Sequence, residues 1–154
     1  DASPLIVLFR CNLENLLPQL FREIIVPGAV WHEIIDTGHA DRAALGLPEA
    51  SWIKRVDNIP DPAVIAWDLG PGETSVISFA LKNPGYLAMI DDAVARNCSG
   101  SFDIPTLGTA GLLLRQIQKR FGQVPSWVEE KIPQADEAQL EQWGDIYPDT
   151  GGYF

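Results

Sequence analysis

Asp1, Glu33, Glu73, Asp91 and Asp92 stand where strand or loop gives way to helix in this chain. The clearest are the adjacent pair in YLAMIDDAVAR (86–96), where an apolar run ends abruptly in two carboxylates and then resumes in a helical pattern. Neighbouring carboxylates at a strand end repel each other unless positive charge lies between them. A divalent cation that prefers oxygen ligands is the simplest such charge. The pattern predicts metal-dependent chemistry, with phosphodiesters as the substrate class. Each position also has a purely structural explanation. Helix N-termini favour negative charge, and acids are common capping residues.

The elements that must carry these residues follow from periodicity. Ser3-Pro4 reads as a capping residue and a first-turn proline opening a helix with Leu5, Ile6, Leu8 and Phe9 on its buried side. Leu13, Leu16, Leu17 and Leu20 suggest a second short helix. Residues 23–26 (EIIV) read as a strand that stops at Pro27-Gly28, with a helix from there to about residue 36. Residues 37–60 are less regular, with a strand expected at 52–56. Asp61-Pro62 opens a short helix to about residue 69, which Gly70-Pro71-Gly72 breaks. Glu73 then opens a helix with Val76, Ile77, Phe79, Ala80 and Leu81 inward. Residues 86–90 form a strand of little polarity, as expected in a buried parallel sheet. A helix from Asp92 to about Cys98, a short strand at 103–107 and a long helix at 110–120 follow, and one more helix is expected at 127–132.

Strands alternating with helices imply a parallel sheet covered on both faces. Such sheets bind ligands outside the carboxyl ends of their strands. Asp91 and Asp92 follow a strand directly, and Glu33 and Glu73 are expected in the first turns of helices leading away from the same edge.

The chain has 154 residues, enough for a single domain with a core of its own. No apolar run approaches a membrane span, and no signal peptide is visible. The absence of an initiator Met leaves room for residues upstream of Asp1. Cys11 and Cys98 read as free thiols of a reducing cytosol. The net charge of −10 opposes a polyanionic partner. Its distribution softens that objection. Residues 129–154 hold seven acids and one Lys, whereas residues 1–128 hold fourteen acids and ten bases. The acidity therefore gathers in the tail and in the candidate site. Arg10, Arg22, Lys54, Arg55, Arg96, Arg115, Lys119 and Arg120 could line a groove or serve as ordinary surface charge.

Other chemistries find little support. His32 and His39 have no Cys or His partners at zinc-site spacing. Gly70-Pro71-Gly72 lacks the Lys and hydroxyl of a phosphate-cradling loop, and no Gly-x-Ser-x-Gly elbow occurs. The Trp residues at 31, 52, 67, 127 and 143 suit either base stacking or a core or interface role.

The ordered blocks DASPLI (1–6), IVPGAVWHEI (25–34), GPGETSVISFAL (70–81), YLAMIDDAVAR (86–96) and TLGTAGLLL (106–114) resemble a PIN-domain protein. Within that family the likeness is to the branch related to the VapC-type toxin ribonucleases. It spans residues 1–122, and the order and spacing of five blocks carry it. The resemblance implies a three-layer α/β/α sandwich with a mostly parallel central sheet over residues 1–125, with 126–154 as a helical or irregular extension of the same domain. It also implies a ribonuclease that uses Mg²⁺ or Mn²⁺. Asp1 matches the acid ending the family's first strand, Glu33 the acid of the helix after the second strand, and Glu73 the acid opening the mid-domain helix. Asp92 matches the acid shortly after the next strand, and Asp91 is the extra acid of this branch. Asp1, Glu73, Asp91 and Asp92 are thereby the expected metal ligands, with Glu33 an outer ligand or general base. Ser3, Arg96 and Thr109 are expected to contact ligands or substrate phosphate. An RNA substrate, an antitoxin partner, a homodimer and a cytoplasmic location are implied in the same way.

Three features depart from the family pattern. The sequence begins at the last residue of the family's first strand, Ala2 replaces a hydroxyl residue, and the tail after Pro125 has no counterpart. A non-catalytic RNA- or protein-binding module, and a metal-dependent phosphatase or a nuclease of DNA or nucleotides, stand as alternatives.

Overall fold

In the computed structural model, residues 2–36 and 41–122 are described, and two compact units divide the chain at Thr109 and Ala110. The first unit opens with α1 (Ser3–Arg10), which buries Pro4, Leu5, Val7, Leu8 and Phe9. Ser3 is not its cap. The ladder starts one residue earlier, with Ile6 N–H donating to the Ala2 carbonyl at 3.0 Å, so Ser3 falls inside the first turn. A short helix, α2 (Leu16–Leu20), leads to β1 (Ile24–Pro27) and α3 (Gly28–Ile35).

The irregular stretch holds a helix that periodicity misses, α4 (Arg42–Gly46). Asp41 caps it, accepting from Ala43 N–H at 3.2 Å, and also receives Arg10 Nη2 at 2.9 Å. Burial opposes the Asp41 charge, but the Arg10 guanidinium and the Ala43 amide outweigh it and hold the carboxyl below its usual range. Next come β2 (Ile53–Val56) and α5 (Pro62–Ile65), whose cap Asp61 accepts from Ala63 N–H at 3.0 Å. This helix is shorter than the sequence suggests: it ends at Ile65, and Asp68 beyond it takes a left-handed φ of 54°. Then follow α6 (Pro71–Lys82), β3 (Ala88–Met89), α7 (Ala93–Ser101) and β4 (Thr106–Leu107). The last described helix, α8 (Thr109–Phe121), starts at the final residue of the first unit. Gly122 follows it at φ +78° and donates to the Gln118 carbonyl, a left-handed stop that glycine adopts without penalty. The helix expected at 127–132 and the extension over 126–154 lie outside the described residues.

Helices therefore alternate with parallel strands, as expected of an α/β sandwich. In the described residues the ladders form two parallel pairs, β1–β2 and β3–β4, rather than one continuous sheet. The residues lining an apolar cavity of about 120 Å³ include Ile24 to Pro27 of β1 together with Leu87 and Met89. The helix α6 packs on both β1 and β3. Tyr86 and Glu23, ahead of β3 and β1 respectively, share a hydrogen bond that the phenol donates. That bond, with Lys54 beside it, holds the Glu23 carboxyl below its usual range and the phenol above its own. Its contribution is accordingly present at neutral pH and lost as pH falls through the folded carboxyl's range.

The core around β3 comprises Val64, Ile77, Ala80, Ala88, Ile90, Ala95, Cys98 and Ile104. Cys98 is fully buried there and Cys11 is exposed, both as free thiols. Burial pushes the Cys98 thiol up, which keeps it protonated and unreactive at neutral pH. A native-state titration with dithiobis(nitrobenzoate) is expected to count one fast thiol, the second reacting only in denaturant. Two fast thiols of equal rate would contradict this packing. Among the described residues no helix is long and apolar enough to cross a membrane.

Candidate functional site

The residues singled out by chemistry fall into two groups inside the first unit. The first lies at the start of α6. Glu33 sits in the second turn of α3, not the first, so the dipole of its own helix does not explain it. Its carboxylate reaches across to another helix instead, and Oε1 accepts from Gly72 N–H at 2.8 Å. Glu73 occupies the third position of α6, from which a carboxylate can fold back toward the N-cap. It does so, since a Cβ on Gly70 would lie 2.3 Å from Glu73 Oε2. A Cβ on Gly72 would lie 2.4 Å from Glu33 Oε2. Gly70 and Gly72 thus let two carboxylates close onto the backbone of one helix start. The sequence reading took Gly70-Pro71-Gly72 for a helix breaker. In fact Gly70 is the N-cap and Pro71 the first residue of α6. The two glycines flanking Pro71 immediately before Glu73 were the available signal.

The second group lies beyond the carboxyl ends of β3 and β4. Asp91, half-buried, takes both polar groups of Thr109: the amide donates to Oδ1 at 2.7 Å and the hydroxyl to Oδ2 at 2.6 Å. Thr109 is fully buried, so this carboxylate is held from a fixed point. Gly108 permits the approach, because a Cβ there would stand 2.9 Å from Asp91 Oδ1 and 3.6 Å from Arg96 Nη1. Arg96 therefore heads toward the Asp91 side of α7. The sequence places a Gly108-Thr109 turn ahead of the long helix and names Thr109 for the site; the need for glycine at 108 shows only in the fold.

Asp92 behaves differently from its neighbour. It is exposed and caps α7, its Oδ1 accepting from Ala95 N–H at 2.7 Å. Ser3 is half-buried in the first turn of α1. Asp1 lies outside the described residues. Among the described residues no group of three or more His, Cys, Asp or Glu side chains is close enough to hold a metal ion. By donor type the carboxylates and hydroxyls here suit a hard, oxygen-preferring cation. His32 is exposed, with Nδ1 2.9 Å from Asp36 Oδ2, and His39 lies outside the described residues. Several basic side chains are already engaged: Lys54 with Glu23, Arg10 with Asp41, and Arg55 over the Trp31 ring at 5.6 Å. Trp52 stacks on Phe9, and Trp67 is exposed.

A family model, DUF3368, described as a PIN domain, matches residues 1–134. No curated protein and no solved structure matches the chain.

Proposed function

The chain belongs to the PIN-domain family, and from that premise we propose that it is a Mg²⁺- or Mn²⁺-dependent endoribonuclease, the toxin half of a toxin–antitoxin pair related to the VapC-type ribonucleases. PIN domains are in general nucleases and typically depend on divalent metal. The observation that carries the reading is the directed placement of three acids. Glu33 and Glu73 close on one helix start, and Asp91 is clamped by Thr109 beyond the ends of two parallel strands.

The residues that would hold the cation are Asp1, Glu73, Asp91 and Asp92. Asp91 is the better-fixed member of its pair, since Asp92 spends Oδ1 on the α7 cap. A bound Mg²⁺ or Mn²⁺ supplies an activated water and charge relief on the phosphoryl oxygens. The protein's own groups do the positioning. Glu33 ties α3 to α6 and so fixes where Glu73 stands. Thr109 sets the angle of the Asp91 carboxylate. Ser3 completes the proposed set from α1. The cytoplasmic location, the antitoxin and the homodimer belong to this proposal as well. A non-catalytic PIN-like module that binds RNA or protein is the second reading. It is favoured by the lack of a three-acid group among the described residues.

Incubation with a mixed-sequence RNA separates the two. The nuclease reading expects cleavage with Mg²⁺ or Mn²⁺ that stops in EDTA and falls about a hundredfold or more in Glu73→Gln, beyond the roughly 10- to 100-fold typical of outer-shell partners. RNA retention without cleavage, in any divalent metal, would establish the binding module instead.

A further inference from the structure

Arg96 is the unexplained cation beside the second acid group. It stands four residues after Asp92, the spacing at which an acid and a base on one helix ordinarily pair. That pair does not form. Asp92 turns its Oδ1 to the Ala95 N–H at 2.7 Å, and the Arg96 guanidinium makes no hydrogen bond or ion pair among the described residues. Nor does it stand out in solvent as most surface charges do, since Arg96 is half-buried.

The side chain is turned to Asp91 instead. Arg96 Nη1 and Asp91 Oδ1 both lie within 3.6 Å of the point where residue 108 would carry a Cβ. Glycine at 108 is what lets the two heads come so near. The carboxylate is held short of the guanidinium by Thr109, which donates to both its oxygens, at 2.7 and 2.6 Å, from a fully buried position. Arg96 therefore acts on Asp91 through its field rather than through a bond.

We propose that Arg96 is the internal counter-charge of the Asp91–Asp92 pair and a competitor of the metal. It offsets the two carboxylates when no cation is bound and lowers their affinity for a divalent ion. This inference rests on the metal-dependent reading of the acids. Adjacent carboxylates at a strand end call for positive charge, and α7 supplies one from its own second turn. The same charge opposes an incoming divalent ion. At equal distance a guanidinium repels it about twice as strongly as it attracts one carboxylate, because the interaction scales with the product of the charges.

The test uses the whole chain with Arg96→Gln and Arg96→Lys, titrated with Mn²⁺ by calorimetry in the absence of RNA. Arg96→Gln is expected to bind Mn²⁺ about tenfold or more tightly than the parent, the order by which one neighbouring charge moves an ionic equilibrium. Its melting temperature is expected to rise further on adding Mn²⁺ than the parent's does, since stabilisation by a ligand follows affinity. Arg96→Lys keeps the charge and is expected to bind Mn²⁺ like the parent. Equal or weaker binding in Arg96→Gln would overturn the proposal and leave the metal site standing; a guanidinium that serves only to hold substrate phosphate predicts that equality. Binding by Arg96→Lys as tight as by Arg96→Gln would overturn it too, by tracing the effect to side-chain shape rather than charge. If neither the parent nor the variants bind Mn²⁺, the metal reading itself falls and this inference with it.

Discussion

Asp91→Asn is expected to remove divalent-metal binding and RNA cleavage together while the protein stays folded. The asparagine carbonyl can still accept the Thr109 amide, now 2.7 Å from Oδ1. The Thr109 hydroxyl, which now donates at 2.6 Å, can turn and accept from the new amide group instead. The local frame therefore survives, and only the negative charge is lost. Calorimetric titration with Mn²⁺ should show affinity falling by more than the roughly 10- to 100-fold that an outer-shell partner is worth. Asp92→Asn is the informative contrast. Asn caps a helix about as well as Asp, so α7 keeps its start, and the metal loses one of the two adjacent charges. Thr109→Val removes the hydroxyl that fixes Asp91 and is expected to act through orientation, by about 10- to 100-fold. Should Asp91→Asn bind Mn²⁺ and cleave RNA like the parent, the clamped carboxylate is structural and the nuclease assignment loses its best-placed acid.

The parts of this architecture written locally were legible in the sequence, and those that depend on distant partners were not. The β1–α3 boundary stands at Pro27-Gly28, where the residues change from β-branched to helical. Asp92 could be placed at a helix start from its neighbours alone, and its capping bond spans three residues. The inner face of α6 was legible only in part. Ile77 and Ala80 are buried as their hydrophobicity suggests, and Val76 and Leu81 pack half-buried against the same core, but Thr74, Ser75 and Ser78 are buried as well, which hydrophobicity does not show. The cause is the loop between β2 and α5. Ser75 Oγ donates to Asn58 Oδ1 at 2.8 Å, and Asp61 N–H donates to Ser78 Oγ at 2.8 Å. Buried loop backbone must find partners, and hydroxyls on the facing helix provide them. Glu33 shows the same limit at the candidate site. Its place on α3 was readable, but its partner is 39 residues away, and only the folded chain shows that it serves the start of α6.

That partnership gives Gly72→Ala an outcome opposite to the usual one. Alanine in place of glycine in a helix ordinarily stabilises by about 0.5–1 kcal/mol, and Gly100→Ala in α7, with nothing within 4 Å of the new methyl, should do so. At Gly72 the methyl would lie 2.4 Å from Glu33 Oε2 and 2.7 Å from Oε1. The carboxylate must swing away and give up its 2.8 Å bond to the Gly72 amide. A hydrogen bond to a charged group is worth about 1.5–3 kcal/mol, so the loss outweighs the helical gain and leaves a net destabilisation of about 1–2 kcal/mol, read as a lower urea midpoint. Glu33→Ala removes both the bond and the obstacle. In that background Gly72→Ala has nothing left to displace and should turn neutral or stabilising. The double-mutant cycle then returns a coupling of opposite sign to the single-mutant cost. If Gly72→Ala destabilises equally with and without the Glu33 carboxylate, the contact does not hold α3 to α6, and Glu73 must owe its position to other neighbours.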